Sequence, residues 1–144
     1  MEHSAHLKGS YDAEARFAIE LVRALHKSSV PILVGTDTPG IPGVAPGYSV
    51  HDEIELLARI GFGNYGALAA ATSVPGEFVA ATLKNSDRFG VVASGYRADL
   101  LLLDGDPLKD LMVLRHPRGV MVRGAWLPAS QLKSMLSRPF PANQ

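Results

Sequence analysis

An α/β fold, helix-rich to about residue 86 and strand-rich beyond it, is what this sequence predicts. Apolar residues recur near the 3.6 period through the first part of the chain, which points to amphipathic helices. Short β-branched or all-leucine runs bounded by Gly, Pro and Asp point to strands. Nearly half of the 144 residues (47%) are apolar, with 14 Gly and 10 Pro, a balance that suits a globular chain rather than a disordered or collagen-like one.

Taken in order, residues 1–10 are polar and unpatterned. Asp12 to His26 reads as a helix, with Ala15, Ile19, Val22, Ala24 and Leu25 forming its apolar stripe. Val30-Pro31-Ile32-Leu33-Val34 is short, β-branched and apolar on both faces, as a buried parallel strand would be, with Pro31 at its start. Gly35-Thr36-Asp37-Thr38 ends that run, and a Pro/Gly loop continues to Gly47. Ser49 suits the N-cap of the next helix, with Asp52 three residues on as in a capping box. Ile54, Leu57 and Ala58 form its inner face, and Gly61 ends it. Asn64 suits the cap of a helix over Ala67–Thr72, and Pro75 the first turn of another that reaches Leu83.

Asn85-Ser86-Asp87 is a polar break. Gly90 to Gly95 reads as short extended structure with turns, and Leu100–Leu103 as a second buried strand. Asp104-Gly105-Asp106-Pro107 is a turn cluster. Val120-Met121-Val122 and Trp126-Leu127 flank Arg123-Gly124 in the pattern of a tight hairpin, with Tyr96 and Trp126 as packing residues. Pro128 to Leu136 closes the chain as an amphipathic helix. The expected units are therefore 11–86 and 87–144.

Composition narrows the function. Fourteen Lys and Arg balance fourteen Asp and Glu, so no basic stripe points to nucleic acid and no charge block to a membrane surface. Without cysteine there is no disulfide, thiolate nucleophile or Cys-based zinc site. No apolar run approaches the ~20 residues of a membrane span, and the first ten residues have no apolar signal-peptide core. A cytoplasmic location is the default expectation. His3 and His6 sit in an unpatterned terminus without a third ligand, and His26 and His116 are isolated and read as surface residues. The loop 39–47 lacks the Gly-x-x-x-x-Gly-Lys-Ser/Thr of a phosphate cradle.

Several strings stand in a familiar order. They are Val34-Gly35-Thr36-Asp37-Thr38, Pro46-Gly47-Tyr48-Ser49-Val50-His51-Asp52-Glu53-Ile54-Glu55-Leu56-Leu57, Ala69-Ala70-Ala71-Thr72, Pro75, and Gly90 through Leu100. Asp104, Asp106-Pro107-Leu108 and Val120-Met121-Val122-Arg123-Gly124 follow. Over residues 30 to 127 the series resembles the C-terminal half of the metal-dependent amidohydrolase superfamily, especially its imidazolonepropionase-like and prolidase-like members. The resemblance implies the C-terminal part of a (β/α)8 metallo-hydrolase barrel plus part of its small β-sandwich. Ile32 to Val34 would be the eighth barrel strand, with Asp37 at its C-terminal end, the face that carries barrel chemistry. Leu100–Leu103 and the hairpin would belong to the sandwich.

By the same resemblance Asp37 is a metal ligand and general base, and His51 a residue on the substrate side. Read from the residues alone, Asp37 is equally a turn residue capping its local backbone, and His51 a polar residue of a helix's first turn. The implied cofactor is a divalent metal, zinc first, in the complete enzyme. None is expected in this chain alone, because the family's His-x-His, bridging lysine carboxylate or glutamate, and two further histidines have no counterparts here, and catalytic zinc normally takes three protein ligands. Val74 stands where the family usually has asparagine, and Arg97 where it is usually apolar.

Two functions follow as expectations. One is an incomplete hydrolase of C–N bonds, inactive by itself, whose missing residues lie upstream or on another polypeptide and whose complete form acts on a small-molecule amide or dipeptide. The other is a non-catalytic binding or assembly module derived from an amidohydrolase. Unpaired edges on the 30–34 run further imply a homo-oligomer or a partner supplying the missing barrel half. No nucleic-acid or membrane partner is expected.

Overall fold

Helices dominate the first half of the chain and a small antiparallel sheet the second. The structure is a computed structural model that describes residues 2–38, 40, 42–83 and 87–137, with side chains from Asp12 onward. The expected break at Asn85-Ser86 and the side chains of His3 and His6 lie outside the described residues.

Helix α1 spans Glu2–Lys27 and so runs through the stretch expected to be unpatterned. Once a helix is nucleated, each added residue needs only ordinary propensity, and Glu, Ala, Leu and Lys supply it without an apolar stripe. Its end is a Schellman cap. Ser29 takes the left-handed conformation (φ 57°), the Val30 amide donates to the Leu25 carbonyl (3.0 Å), and the Ser29 amide donates to that of His26 (2.9 Å).

The Val30–Val34 run departs from expectation. It joins no ladder among the described residues, and besides the cap bond of the Val30 amide a backbone bond from the Val34 amide to the Ala70 carbonyl (3.0 Å) ties it down. Ile32 and Val34 pack on the core while Val30 and Leu33 are exposed. A strand expected to be buried on both faces is thus covered on one. The physical reason is that the core packs against Ile32 and Val34 only and leaves Leu33 on the open side, while among the described residues no second strand takes up the edge amides and carbonyls.

Helix α2 spans Ser49–Leu57 and α3 spans Gly63–Ala71. Between them a π-type kink over Ala58–Phe62 turns at Gly61, whose φ of 124° only glycine takes up without strain. Two expected caps are replaced. Tyr48, not Ser49, precedes α2, and Ser49 Oγ instead accepts the Ala45 amide (2.9 Å). Phe62, not Asn64, precedes α3, and Asn64 Nδ2 instead donates to the Leu108 carbonyl (2.9 Å). In both cases a polar side chain ties down a distant or looping segment rather than its own helix end. Helix α4, Ser73–Leu83, has Pro75 in its first turn as expected.

Strands β1 (Leu100–Leu102), β2 (Gly119–Val122) and β3 (Ala125–Pro128) form one antiparallel sheet in that order, with Leu101 opposite Val120 and Met121 opposite Trp126. Arg123 (φ 49°) and Gly124 (φ 83°) make the expected tight hairpin. Leu101 and Leu102 are about half exposed, so the second expected buried strand is an open edge: β1 pairs only with β2, and no second sheet covers it among the described residues. The 90–95 segment forms turns without a ladder. A short 3-10 helix, Leu111–Arg115, is capped by Asp110, whose side chain accepts the Met112 amide (2.9 Å). Helix α5, Ala129–Leu136, follows β3.

The core lies between α2, the kink, α3 and the 3-10 helix. Ile54, Leu57, Ile60, Ala67, Ala70, Leu111 and Leu114 are its buried members, and Ile19 and Val22 of α1 pack against it. Leu111 and Leu114 therefore lock a piece of the second half onto α2 and α3. Arg97, in a position expected to be apolar, is accommodated by polar partners and a ring: it bonds Asp87 and Asp99, and its guanidinium lies 4.8 Å from the Phe89 ring centre.

Candidate functional site

Helix α2, which carries His51 in its first turn, is bonded to the loop, to the 30–36 segment and to the 3-10 helix. Asp52 and Glu55, at i and i+3, share a helix face, and Arg115 reaches both. Its Nη2 donates to Asp52 Oδ1 (2.6 Å) and to Glu55 Oε1 (2.7 Å), and its Nε also donates to Glu55 Oε1 (3.0 Å). The same guanidinium lies 5.5 Å from the ring centre of Tyr48. The two carboxylates raise its affinity for its proton well above the ordinary arginine range, Asp52 most. On another side of α2, Glu53 Oε1 accepts the Gly35 amide (3.0 Å), which pins the end of the 30–36 segment to the helix.

His51 is half-buried in this cluster, and its Nδ1 is covered yet has no hydrogen-bond partner among the described residues. Burial lowers its pKa from the usual 6.5, the positive charge of Arg115 lowers it further, and Glu55 and Asp52 oppose them in part. The ring is therefore held as neutral imidazole at neutral pH, able to donate from one nitrogen and accept at the other.

Asp37 lies just past the 30–36 segment, exposed, in the left-handed conformation (φ 52°) that Asp tolerates better than most residues. Its carbonyl accepts the Gly40 amide (2.8 Å), the behaviour of a turn residue, while its carboxylate makes no hydrogen bond or ion pair among the described residues. No hydrogen bond or ion pair joins Asp37 to His51 either. Both residues belong to segments that meet at α2, one through the Gly35–Glu53 bond and the other directly. Among the described residues no group of three His, Cys, Asp or Glu side chains comes together to hold a metal ion. Neither residue lines the cleft of about 300 Å³ formed by α4 and the 88–96 segment, which is bordered by Ser73, Glu77, Arg88 and Tyr96.

Of the other histidines, His116 is exposed as expected, whereas His26 is partly buried and stacked on Phe62 with ring centres 3.8 Å apart. Arg115 escaped the sequence reading altogether. Its partners lie 60 and 63 positions away, and an isolated arginine after an apolar run carries no local sign that it will meet two carboxylates.

Comparison with known proteins adds a family. The profile described as "Amidohydrolase family" matches residues 4–127. No curated protein matches the chain. Among solved structures, the crystal structure of an amidohydrolase is similar, with 30% identity and a TM-score of 0.46, over 55% of this chain and 19% of that one. The chain thus spans 19% of the length of that relative.

Proposed function

The chain belongs to the amidohydrolase family, and from that premise we propose that it is one part of a metal-dependent hydrolase of C–N bonds and is catalytically inert by itself. The observation that carries this reading is the family match over residues 4–127. The segment 30–34 is proposed as the last barrel strand, which in this chain alone lacks its neighbours, and the β1–β3 sheet as part of the small sandwich.

Asp37 is the proposed ligand and general base of that complete enzyme. An exposed carboxylate that makes no hydrogen bond or ion pair among the described residues, held just beyond an extended apolar run, suits a group that must present its oxygens outward. The described residues do not by themselves fit a divalent ion, since Asp37 is not joined by two further ligands. The rest of the donor set, and the zinc we expect it to hold, would come from outside them. His51 is the proposed substrate-side residue, a neutral imidazole in the turn that follows the loop. A small amide or dipeptide is the proposed substrate, and a second copy or the remaining barrel part the proposed partner.

The test is turnover on a panel of amides, cyclic ureas and dipeptides, with zinc supplied and with a chelator. The chain is expected to show none above background. Turnover abolished both by Asp37→Ala and by chelation would overturn the inert reading.

A further inference from the structure

We infer that Arg115 is a positioning residue for His51: it reaches from the second half of the chain to clamp the start of α2, and through it holds the Gly35 and Ala45 amides that bond to that helix. The inference rests on the proposed function only for the meaning of His51 as a substrate-side group. The clamp itself stands on geometry.

Arg115 is anchored before it reaches α2. Leu114, immediately before it, and Leu111, at the start of the same 3-10 helix, are buried in the core, so the arginine leaves a fixed base. Its side chain is only 14% exposed, although one of its carboxylate partners, Asp52, is 62% exposed. Three charge-assisted hydrogen bonds and the Tyr48 ring engage the guanidinium from positions 48, 52 and 55, which bracket His51. Such a planar fork fixes direction as well as distance, which a lysine ammonium does not.

The same turn carries two tethers to the loop: the Gly35 amide bonded to Glu53 and the Ala45 amide bonded to Ser49 Oγ. A displaced first turn would release both. The charged groups that act on the imidazole are Arg115 from the 3-10 helix and Glu55 and Asp52 from α2 itself. Arg115 therefore sets both the position of the turn and the charge balance at the ring.

The experiment is an NMR titration of His51 in the full chain, wild type against Arg115→Gln and Arg115→Lys, with hydrogen exchange at the Gly35 and Ala45 amides. Arg115→Gln removes the cation and leaves both carboxylates, so the His51 midpoint is expected to rise above the wild-type midpoint. Arg115→Lys keeps the charge and loses the fork. Its midpoint is expected to stay near the wild-type value while the two loop amides exchange several-fold faster than hairpin amides used as an internal reference. A folded Arg115→Gln chain with an unmoved midpoint overturns the inference, and so do unchanged loop amides in Arg115→Lys. If Arg115→Gln does not fold, the loop amides in Arg115→Lys decide by themselves. Neither readout needs metal, substrate or turnover, so the clamp and the hydrolase reading can fail separately.

Discussion

Gly76 sits in α4 where the backbone of Phe89 crosses it. A Cβ built there would come within 2.2 Å of the Phe89 carbonyl oxygen, and a backbone atom cannot swing aside as a side-chain tip can. Gly76→Ala is expected to destabilise the chain by about 1–3 kcal/mol, the usual scale for forced overpacking. Gly35→Ala, where the added methyl meets nothing within 4 Å, is expected to be far milder. Urea unfolding of the two variants checks the contrast, and equal losses would refute the contact. His51 makes a prediction about pH. Its folded-state pKa lies below 6.5, so the unfolded chain takes up a proton first as pH falls. The stability linked to the neutral ring is complete above pH 6.5 and is lost as pH falls from there through the lower folded value. Asp99 is held below its usual 3.8 by the Arg123 amide and by Arg97, so its contribution is lost only in a separate, more acidic window. Denaturation midpoints at pH 7.5 and 5.5 should converge in His51→Gln relative to wild type.

At the scale of elements, the hairpin shows local chemistry deciding structure. Arg123 and Gly124 both adopt positive φ, the requirement of the two-residue turns that match strand twist. The turn is tied back to the chain before β1, with the Gly124 amide on the Ala98 carbonyl (3.0 Å) and the Arg123 amide on Asp99 Oδ1 (2.7 Å). Gly124→Ala is expected to cost roughly 1 kcal/mol. Arg123→Asn, which suits the first turn position better and keeps the same amide, is expected to stabilise by about 0.5 kcal/mol. Thermal melts of both variants check the opposite signs. This hairpin was legible in eight residues, Val120 to Leu127, because its information is local. The cap of α1 was not, although the helix end expected at His26 lies one residue from the observed Lys27: Ser29 replaces the glycine that usually marks such a cap.

For the whole molecule the surface is the informative quantity. The 15.3 kDa chain exposes 10899 Å², whereas a compact monomer of that mass exposes ~7,100 Å². The excess is well beyond the ~800 Å² that each partner buries in a typical interface. Part of that surface is apolar. Phe17 and Leu21, one turn apart on α1, are 70% and 46% exposed, and Val30, Leu33, Leu101 and Leu102 are open as well. We expect a homo-oligomer, or assembly with a partner that completes the barrel. Light scattering at low micromolar concentration should give a mass at least twice that of one chain. A monomer there with cooperative unfolding would remove the incomplete-barrel account.

Apart from the first turns of α1 and α3, the helix positions were determined by the sequence alone, as were the hairpin and the family. Each depends on residues close together, or on strings whose order survives without knowledge of their contacts. Only the tertiary structure decided the rest. Apolarity showed that Ile32 and Leu33 prefer burial, but whether a strand is covered on two faces depends on which neighbours reach it, and here the core covers one. Ser49 and Asn64 had the right chemistry for caps, yet each found a better-placed partner in another segment. Arg115 meets Asp52 and Glu55 only because Leu111 and Leu114 bury themselves against α2 and α3. Ion pairing across sixty positions is a consequence of that packing, and no local pattern in the chain encodes it.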